Sequence, residues 1–229
     1  MNLDEFNAFS PTHAITVVVL VGATLGIVAA SRGLTVAERR RRRLRLGIAM
    51  LAIQSAYQIY WLVFRSDSGE SLPLHLCDVA GAVAVAAFLI PTRLLQALLY
   101  YWGLGLSSLA FVIPVIESGP ASAEFWFFWL SHWVIVGGAV YVVAVDRFRP
   151  AWRDLAVALA VMLCYGLLTV PLNTHWGSNY MYTGDHPMPT PGSLDIAWPF
   201  PRLVIFGAAA GLLMLAVHVP WARGRKRSR

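Results

Sequence analysis

The chain has 229 residues, of which 58% are hydrophobic and only 13% are charged. This composition is far more apolar than that of a water-soluble domain of the same length, so it excludes a soluble globule, a disordered protein and a fibrous protein. The formal net charge of +6 would suit a nucleic-acid-binding protein, but the positions of the basic residues along the chain argue against that class.

Hydropathy predicts an all-α, polytopic membrane protein with seven transmembrane helices. In chain order, the predicted helices cover residues 14–30, 46–64, 72–90, 94–116, 125–145, 155–172 and 203–220. Each stretch is long enough to cross a hydrocarbon core about 30 Å thick at about 1.5 Å per helical residue. Only one connection, the loop over 173–202, is long. We therefore expect one membrane domain over 1–229, with no room for a separate soluble domain.

The basic residues predict the orientation in the membrane. Sixteen of the 18 Lys and Arg residues fall in segments that share one side of the membrane if the N-terminus is outside. The positive-inside rule therefore predicts an outside N-terminus and a cytoplasmic C-terminus. The densest basic run consists of Arg39, Arg40, Arg41, Arg42 and Arg43. We interpret this run as a topology determinant that lies on anionic lipid headgroups, and we expect no nucleic-acid partner. No basic segment precedes the first apolar stretch, so we expect a retained helix there instead of a signal peptide.

Ionisable side chains within the predicted spans are few, and they gather near the predicted outer side. Each costs about 2.5 to 3.5 kcal/mol inside a span, so each is a candidate site residue. The third helix carries His75, Cys77 and Asp78, and the fifth carries His132. Counting at about 1.5 Å per residue puts Cys77 and His132 at similar depths. Gly81, one turn below Cys77, is expected to leave space beside the sulfur for an acyl chain or a partner helix.

Several roles for these residues stay open on chemical grounds. A Cys/His pair with a third, orienting group is the general arrangement for acyl transfer through a thioester, and Asp78, Asn173 or Asn179 could be that third group. His75, Cys77, His132 and His175 could instead ligate zinc. The sequence has no HExxH pair on any helix, so we expect neither a metal nor another cofactor. Gln54 and Gln58, one turn apart, either line a cavity or form interhelical hydrogen bonds.

Five segments together resemble a known family. They are Phe9 to His13, Leu72 to Asp78, Ser131 with His132, Asn173, and Gly177 to Tyr182. In combination they resemble the YwaF-like integral membrane proteins, bacterial relatives of the eukaryotic transmembrane protein 164, and the resemblance extends from residue 9 to about residue 202. It implies a polytopic membrane enzyme. The eukaryotic branch is regarded as a phospholipid acyltransferase that uses a membrane cysteine and histidine, and these fall on Cys77 and His132.

The favoured hypothesis is an acyltransferase of the bacterial plasma membrane that acts on the outer-leaflet side. Cys77 accepts an acyl group from a phospholipid, His132 acts as general base and then acid, and a lysophospholipid receives the chain. The residues expected to orient these groups or to contact substrate are Asp78, His75, His13, Asn173, Asn179 and Tyr180.

Four alternatives remain on the sequence alone. A lipid hydrolase would use the same residues, and a metal-dependent hydrolase would use the zinc ligands. A small-molecule transporter or sensor would have an outer cavity lined by His13, His75, Asp78, His132 and Asn179. The fourth alternative is a structural subunit of a membrane complex, in which Cys77 and His132 would serve only assembly or stability.

Overall fold

A computed structural model describes residues 4–64, 72–184 and 200–226 of the chain. Within these residues there are seven helices and no strand. They are α1 (Pro11–Ser31), α2 (Val36–Phe64), α3 (Leu76–Leu89), α4 (Arg93–Tyr100), α5 (Ala123–Ala144), α6 (Trp152–Trp176) and α7 (Phe200–Lys226). Helix α4 continues as a π-helical turn over Tyr101–Leu106 and a 3-10 turn over Ser107–Phe111. A short 3-10 turn, Tyr180–Tyr182, follows α6.

Six helices are long and apolar enough to cross a membrane, counting α4 with its continuation to Phe111 as one. Large apolar side chains lie exposed along their outer faces, including Val18 and Leu25 on α1, Leu168 on α6 and Leu212 on α7. Contiguous apolar surface of this kind is typical of contact with lipid. The prediction of an all-α polytopic membrane protein is confirmed.

Helix α3 is shorter than predicted, with 14 residues in place of the stretch 72–90. It begins at Leu76 because the Asp78 carboxylate reaches back and accepts a hydrogen bond from the His75 amide at 3.0 Å, which caps the helix at His75. Pro73 therefore precedes the helix, although it lies within the predicted stretch 72–90. The helix ends just before Pro91, since the residue before a proline disfavours helical dihedrals.

Helix α4 departs from the straight span predicted over 94–116. Its backbone widens into the π-helical turn where Gly103 packs directly against α5, and helical structure ends at Phe111, ahead of Pro114. A Cβ atom on Gly103 would lie 2.8 Å from the Ala139 Cβ and 3.2 Å from the Ile135 carbonyl oxygen. Only glycine therefore allows this close approach of the two helices.

The other helices extend beyond their predicted apolar stretches. Helix α2 begins ten residues earlier than predicted, α6 continues to Trp176, and α7 runs through Pro220 to Lys226. Hydropathy detects only the part of a helix that crosses hydrocarbon, whereas backbone hydrogen bonding continues into the polar boundary. The loop predicted over 173–202 is correspondingly shorter at both ends, and residues 185–199 within it lie outside the described residues.

Helix α3 forms the centre of the bundle, where it packs against α2, α4 and α5. Its inner face is built from alanines, and Ala80, Ala84 and Ala87 have no exposed surface. Small side chains let the surrounding helices approach closely, so they fix the position of α3. We call the end of the bundle where α1 begins the N-terminal end, and the end where α2 begins the arginine-rich end.

At the arginine-rich end, three residues of the run 39–43 are engaged inside the protein. Arg39 donates to the carbonyls of Leu34 and Val145, Arg42 donates to the Ser31 hydroxyl, and Arg43 lies 3.7 Å from the Asp146 carboxylate. Arg40 and Arg41 are exposed. The arginine run therefore ties α2 to its neighbours as well as presenting charge at the surface.

Candidate active site at the start of helix α3

Cys77 is the second residue of α3, at the N-terminal end of the bundle. Its side chain is partly buried against the main hydrophobic core, and its thiol faces the hydroxyl of Ser107. Ser107 is 4% exposed and lies where the π-helical turn passes into the 3-10 turn. The irregular end of α4 therefore presents a hydroxyl to the only thiol on α3.

His132 lies on α5, and its imidazole is 8% exposed. Its Nδ1 atom lies 2.8 Å from the Phe128 carbonyl oxygen. A carbonyl only accepts hydrogen bonds, so Nδ1 carries the proton and Nε2 of the neutral ring keeps its lone pair. The Phe128 ring, with its centroid 4.4 Å away, covers one side of the imidazole. This arrangement fixes the orientation of the ring without using Nε2.

The packing of α4 against α5 brings Cys77 and His132 to the same level. Gly103 contacts Ile135, and the two helices run in opposite directions. One turn from Gly103 toward the N-terminal end leads to Ser107, and about one turn from Ile135 toward the same end leads to His132. Since Cys77 faces Ser107, its thiol lies at the level of the imidazole. Among the described residues, no hydrogen bond joins the two side chains.

Asp78 follows Cys77 and is held by three neighbours. It accepts hydrogen bonds from the His75 amide at 3.0 Å and from Gln58 Nε2 at 3.2 Å, and it lies beside the Tyr57 hydroxyl. A carboxylate inside a span needs such partners, because leaving it unsatisfied would cost several kcal/mol. Asp78 therefore fixes the start of α3 and joins it to α2.

The space beside Gly81 is filled by a partner helix. A Cβ atom on Gly81 would collide with the Gln54 side-chain amide, so that amide occupies the room that the sequence left open for either a helix or an acyl chain. Gln54 also accepts a hydrogen bond from the Ser131 hydroxyl at 3.2 Å. Gln54 and Gln58 thus form interhelical hydrogen bonds, which resolves the choice left by their spacing.

The segment before α3 is folded against the turn that follows α6. The His75 ring lies 5.2 Å from the Tyr180 ring and 5.7 Å from the Tyr182 ring. The Leu72 amide donates to the Tyr180 hydroxyl at 3.1 Å, and the Tyr165 hydroxyl donates to the Leu74 carbonyl at 2.8 Å. Two segments that the sequence singled out separately, 72–78 and 177–182, are therefore in direct contact.

Asn173 organises this turn from the last part of α6. Its Nδ2 donates to the Tyr180 carbonyl and to the Thr183 hydroxyl, and its Oδ1 accepts from the Ser178 hydroxyl and the Tyr180 amide, each at 2.9 Å. Asn179 accepts a hydrogen bond from the Gly184 amide, also at 2.9 Å. Both asparagines therefore shape the turn that holds Tyr180 against His75.

His13 lies at the same end of the bundle but in a separate aromatic cluster. Its Nδ1 accepts from the Phe9 amide at 2.9 Å, and its Nε2 donates to the Phe111 carbonyl at 3.0 Å. The rings of Phe6 and Trp129 lie 5.7 Å and 5.5 Å away. Both ring nitrogens are engaged, and the residue ties the start of α1 to the end of the 3-10 turn.

No three His, Cys, Asp or Glu side chains in the described part of the chain are arranged to hold a metal ion. The candidate zinc ligands His75, Cys77, His132 and His175 are not brought together as a set. His175 lies on the last turn of α6, with its ring 6.5 Å from that of Trp176.

Three neighbours of the site were not singled out from the sequence: Tyr57, Ser107 and Tyr165. Tyr57 precedes Gln58, and Ser107 and Ser108 together interrupt an apolar stretch. A polar residue within an apolar span marks a candidate site residue. The helix face that Ser107 occupies, however, depends on the π-helical turn before it, and the sequence does not reveal that turn.

No curated protein and no solved structure matches this chain. Its sequence does match the TMEM164 family over residues 8–219, nearly its whole length. This match agrees with the resemblance drawn from the segments at residues 9–13, 72–78 and 177–182. The chain belongs to the TMEM164 family.

Proposed function

We propose that this protein is a membrane lipid acyltransferase in which Cys77 is the nucleophile and His132 the general base. The proposal is supported by the packing of α3 and α4 against α5 near Ser107. There the Cys77 thiol lies at the level of the His132 imidazole, whose Nε2 carries no proton in the neutral ring. A thiol and an imidazole so placed are the elements of acyl transfer through a thioester.

In the first step, His132 Nε2 takes the thiol proton, and the Cys77 sulfur attacks the carbonyl carbon of a phospholipid acyl ester. The ester C–O bond breaks, and the departing lysophospholipid oxygen receives the proton from His132. In the second step, the hydroxyl of a lysophospholipid gives its proton to His132 and attacks the thioester. The new ester forms as the C–S bond breaks, and Cys77 regains its proton.

Two features of the site support the nucleophile assignment. Cys77 lies in the first turn of α3, where the helix dipole stabilises a thiolate. The Ser107 hydroxyl faces the sulfur and can donate a hydrogen bond to that thiolate. Asp78, by contrast, is already occupied by Gln58 and the His75 amide, so it positions the start of α3 and does not orient His132.

We place the N-terminus outside and the C-terminus in the cytoplasm of a bacterial cell, since the arginines gather at the end where α2 begins. Cys77 then serves the outer leaflet. Phospholipid and lysophospholipid are the proposed substrates, and Arg40 and Arg41, which are exposed, meet anionic headgroups at the cytoplasmic face.

An acyl-exchange assay tests the proposal. The purified chain is incubated in detergent with phosphatidylglycerol labelled in its acyl chains and with unlabelled lysophosphatidylethanolamine. We expect labelled phosphatidylethanolamine to form, and we expect Cys77→Ala to abolish it. His132→Gln should slow transfer by about 10²- to 10⁴-fold, the usual contribution of a general base.

Cys164→Ala is the matched control, because Cys164 lies exposed on α6. It should leave transfer unchanged. Transfer that persists in folded Cys77→Ala protein would exclude the nucleophile. Release of labelled fatty acid without labelled phosphatidylethanolamine would show a hydrolase instead of a transferase.

A further inference from the structure

An open groove separates α1 from α2, far from Cys77. The two helices are consecutive in the chain, yet each packs chiefly against other helices, and both contact α5. The groove has a volume of about 380 Å³ and is lined by Gly26, Ile27, Ala30, Arg42, Arg45 and Leu46. Its walls therefore combine an apolar face of α1 with two arginine side chains of α2.

An apolar cavity of about 80 Å³ lies beside the groove. Ile27 and Leu46 line both spaces, so the two are adjacent. Trp133, Gly137 and Gly138 of α5 contribute to the lining of the deeper cavity. A side chain on either glycine would project into neighbouring atoms, with a Gly138 Cβ only 2.9 Å from Met50 Cε. The two glycines thus let α5 pack closely against its neighbours beside this cavity, which forms a narrow apolar slot between α1 and α2.

Three polar groups lie at the end of this slot nearest the arginine-rich end. Arg45 is exposed, and no carboxylate of the described residues pairs with it. Arg42 has the Ser31 hydroxyl as its partner, at 3.3 Å. Tyr141 lines the cavity and is only 2% exposed. Its hydroxyl lies near that of Ser31, but no hydrogen bond of standard geometry joins the two, so the Tyr141 hydroxyl can donate to a ligand.

We propose that this groove binds one acidic phospholipid from the leaflet at the arginine-rich end. The lipid phosphate lies between Arg42 and Arg45, one acyl chain enters the slot between α1 and α2, and the Tyr141 hydroxyl donates to an ester oxygen. Positive charge at the mouth of an apolar slot complements this class of lipid. The site lies at the opposite end of the bundle from Cys77 and does not depend on the acyltransferase proposal.

Native mass spectrometry of the full-length chain in detergent tests the site. The protein is titrated with phosphatidylglycerol or with phosphatidylcholine, and the fraction that retains one lipid is measured. We expect phosphatidylglycerol to be retained preferentially and Arg45→Gln to weaken it about fivefold, the effect of one arginine near an anionic headgroup. Gly26→Leu should weaken both lipids, because its side chain would occupy the groove, and its Cβ meets no atom within 4 Å.

Two variants serve as matched controls. Arg153→Gln removes an exposed arginine of α6 that lines neither space. Gly22→Leu adds the same side chain as Gly26→Leu one turn away on α1, where the Cβ also meets nothing within 4 Å. Both should bind like the unmodified chain. Equal retention of the two lipids, an equal loss for Arg153→Gln and Arg45→Gln, or unchanged binding by Gly26→Leu would each overturn the proposal. Gel filtration of every variant establishes that it is folded.

Discussion

Gly103 sets the register between α4 and α5, and replacing it with alanine tests that register. The added Cβ would lie 2.8 Å from the Ala139 Cβ and 3.2 Å from the Ile135 carbonyl oxygen. Neither atom can swing away, so the helices must separate, and overpacking of this kind costs about 1 to 3 kcal/mol. The general gain from replacing a helical glycine with alanine, about 0.5 to 1 kcal/mol, offsets only part of that cost. We therefore expect a net loss of about 0.5 to 2 kcal/mol.

Equilibrium unfolding in mixed detergent micelles, followed by circular dichroism, measures this loss. Gly22→Ala is the matched control, since its Cβ meets no atom within 4 Å, and we expect it to be neutral or slightly stabilising. Ala139→Gly removes the nearer obstacle, so the double variant should recover about 1 to 2 kcal/mol relative to the sum of the single effects. Equal stabilities for Gly103→Ala and Gly22→Ala would refute the register and with it the placement of Ser107.

Three further changes test other parts of the structure. Arg93→Gln removes the guanidinium that donates to the Asp154 carboxylate at 2.9 Å and 2.6 Å. Because Arg93 is largely exposed while Asp154 is buried, we expect the free energy of unfolding in detergent to fall by about 1 to 2 kcal/mol. The control Arg153→Gln should leave that free energy unchanged. Asn173→Ala removes four hydrogen bonds from the turn after α6. We expect a loss of about 2 kcal/mol of local stability, which would accelerate hydrogen exchange at the Tyr180 amide about thirtyfold. An unchanged exchange rate would contradict the assigned hydrogen bonds. Ser107→Ala removes the hydroxyl that faces Cys77 and should slow acyl transfer about tenfold. The Ser108 hydroxyl donates to the Leu104 carbonyl within its own helical segment, so Ser108→Ala should leave the transfer rate unchanged. Equal effects of the two serine substitutions would argue against a role for Ser107.

Hydropathy predicts the helices well, because crossing hydrocarbon demands a long apolar segment whose backbone is hydrogen-bonded internally. It predicts their ends poorly, and the start of α3 illustrates why. That start depends on one hydrogen bond between the Asp78 carboxylate and the His75 amide, which no average over a window of residues detects. The same bond decides that Cys77 lies in the first turn of the helix.

The polar residues of the site were largely visible in the sequence, since an ionisable group in an apolar span is conspicuous. The way these residues come together in space was not visible in the sequence. The π-helical turn after Tyr100 rotates the rest of the helix, and this rotation directs Ser107 toward Cys77. Sequence spacing alone also could not tell that His13 has both ring nitrogens engaged, whereas His132 has a hydrogen bond at Nδ1 and none at Nε2 among the described residues.

Covalent labelling of the protein by a lipid acyl chain tests the central claim most directly. After incubation with acyl-labelled phosphatidylglycerol, peptide mass spectrometry should locate a hydroxylamine-sensitive acyl group on the peptide that contains Cys77. The adduct should accumulate when lysophospholipid is withheld and disappear when it is added. A label on the Cys164 peptide, or a protein that stays unmodified while it transfers acyl chains, would contradict a thioester at Cys77.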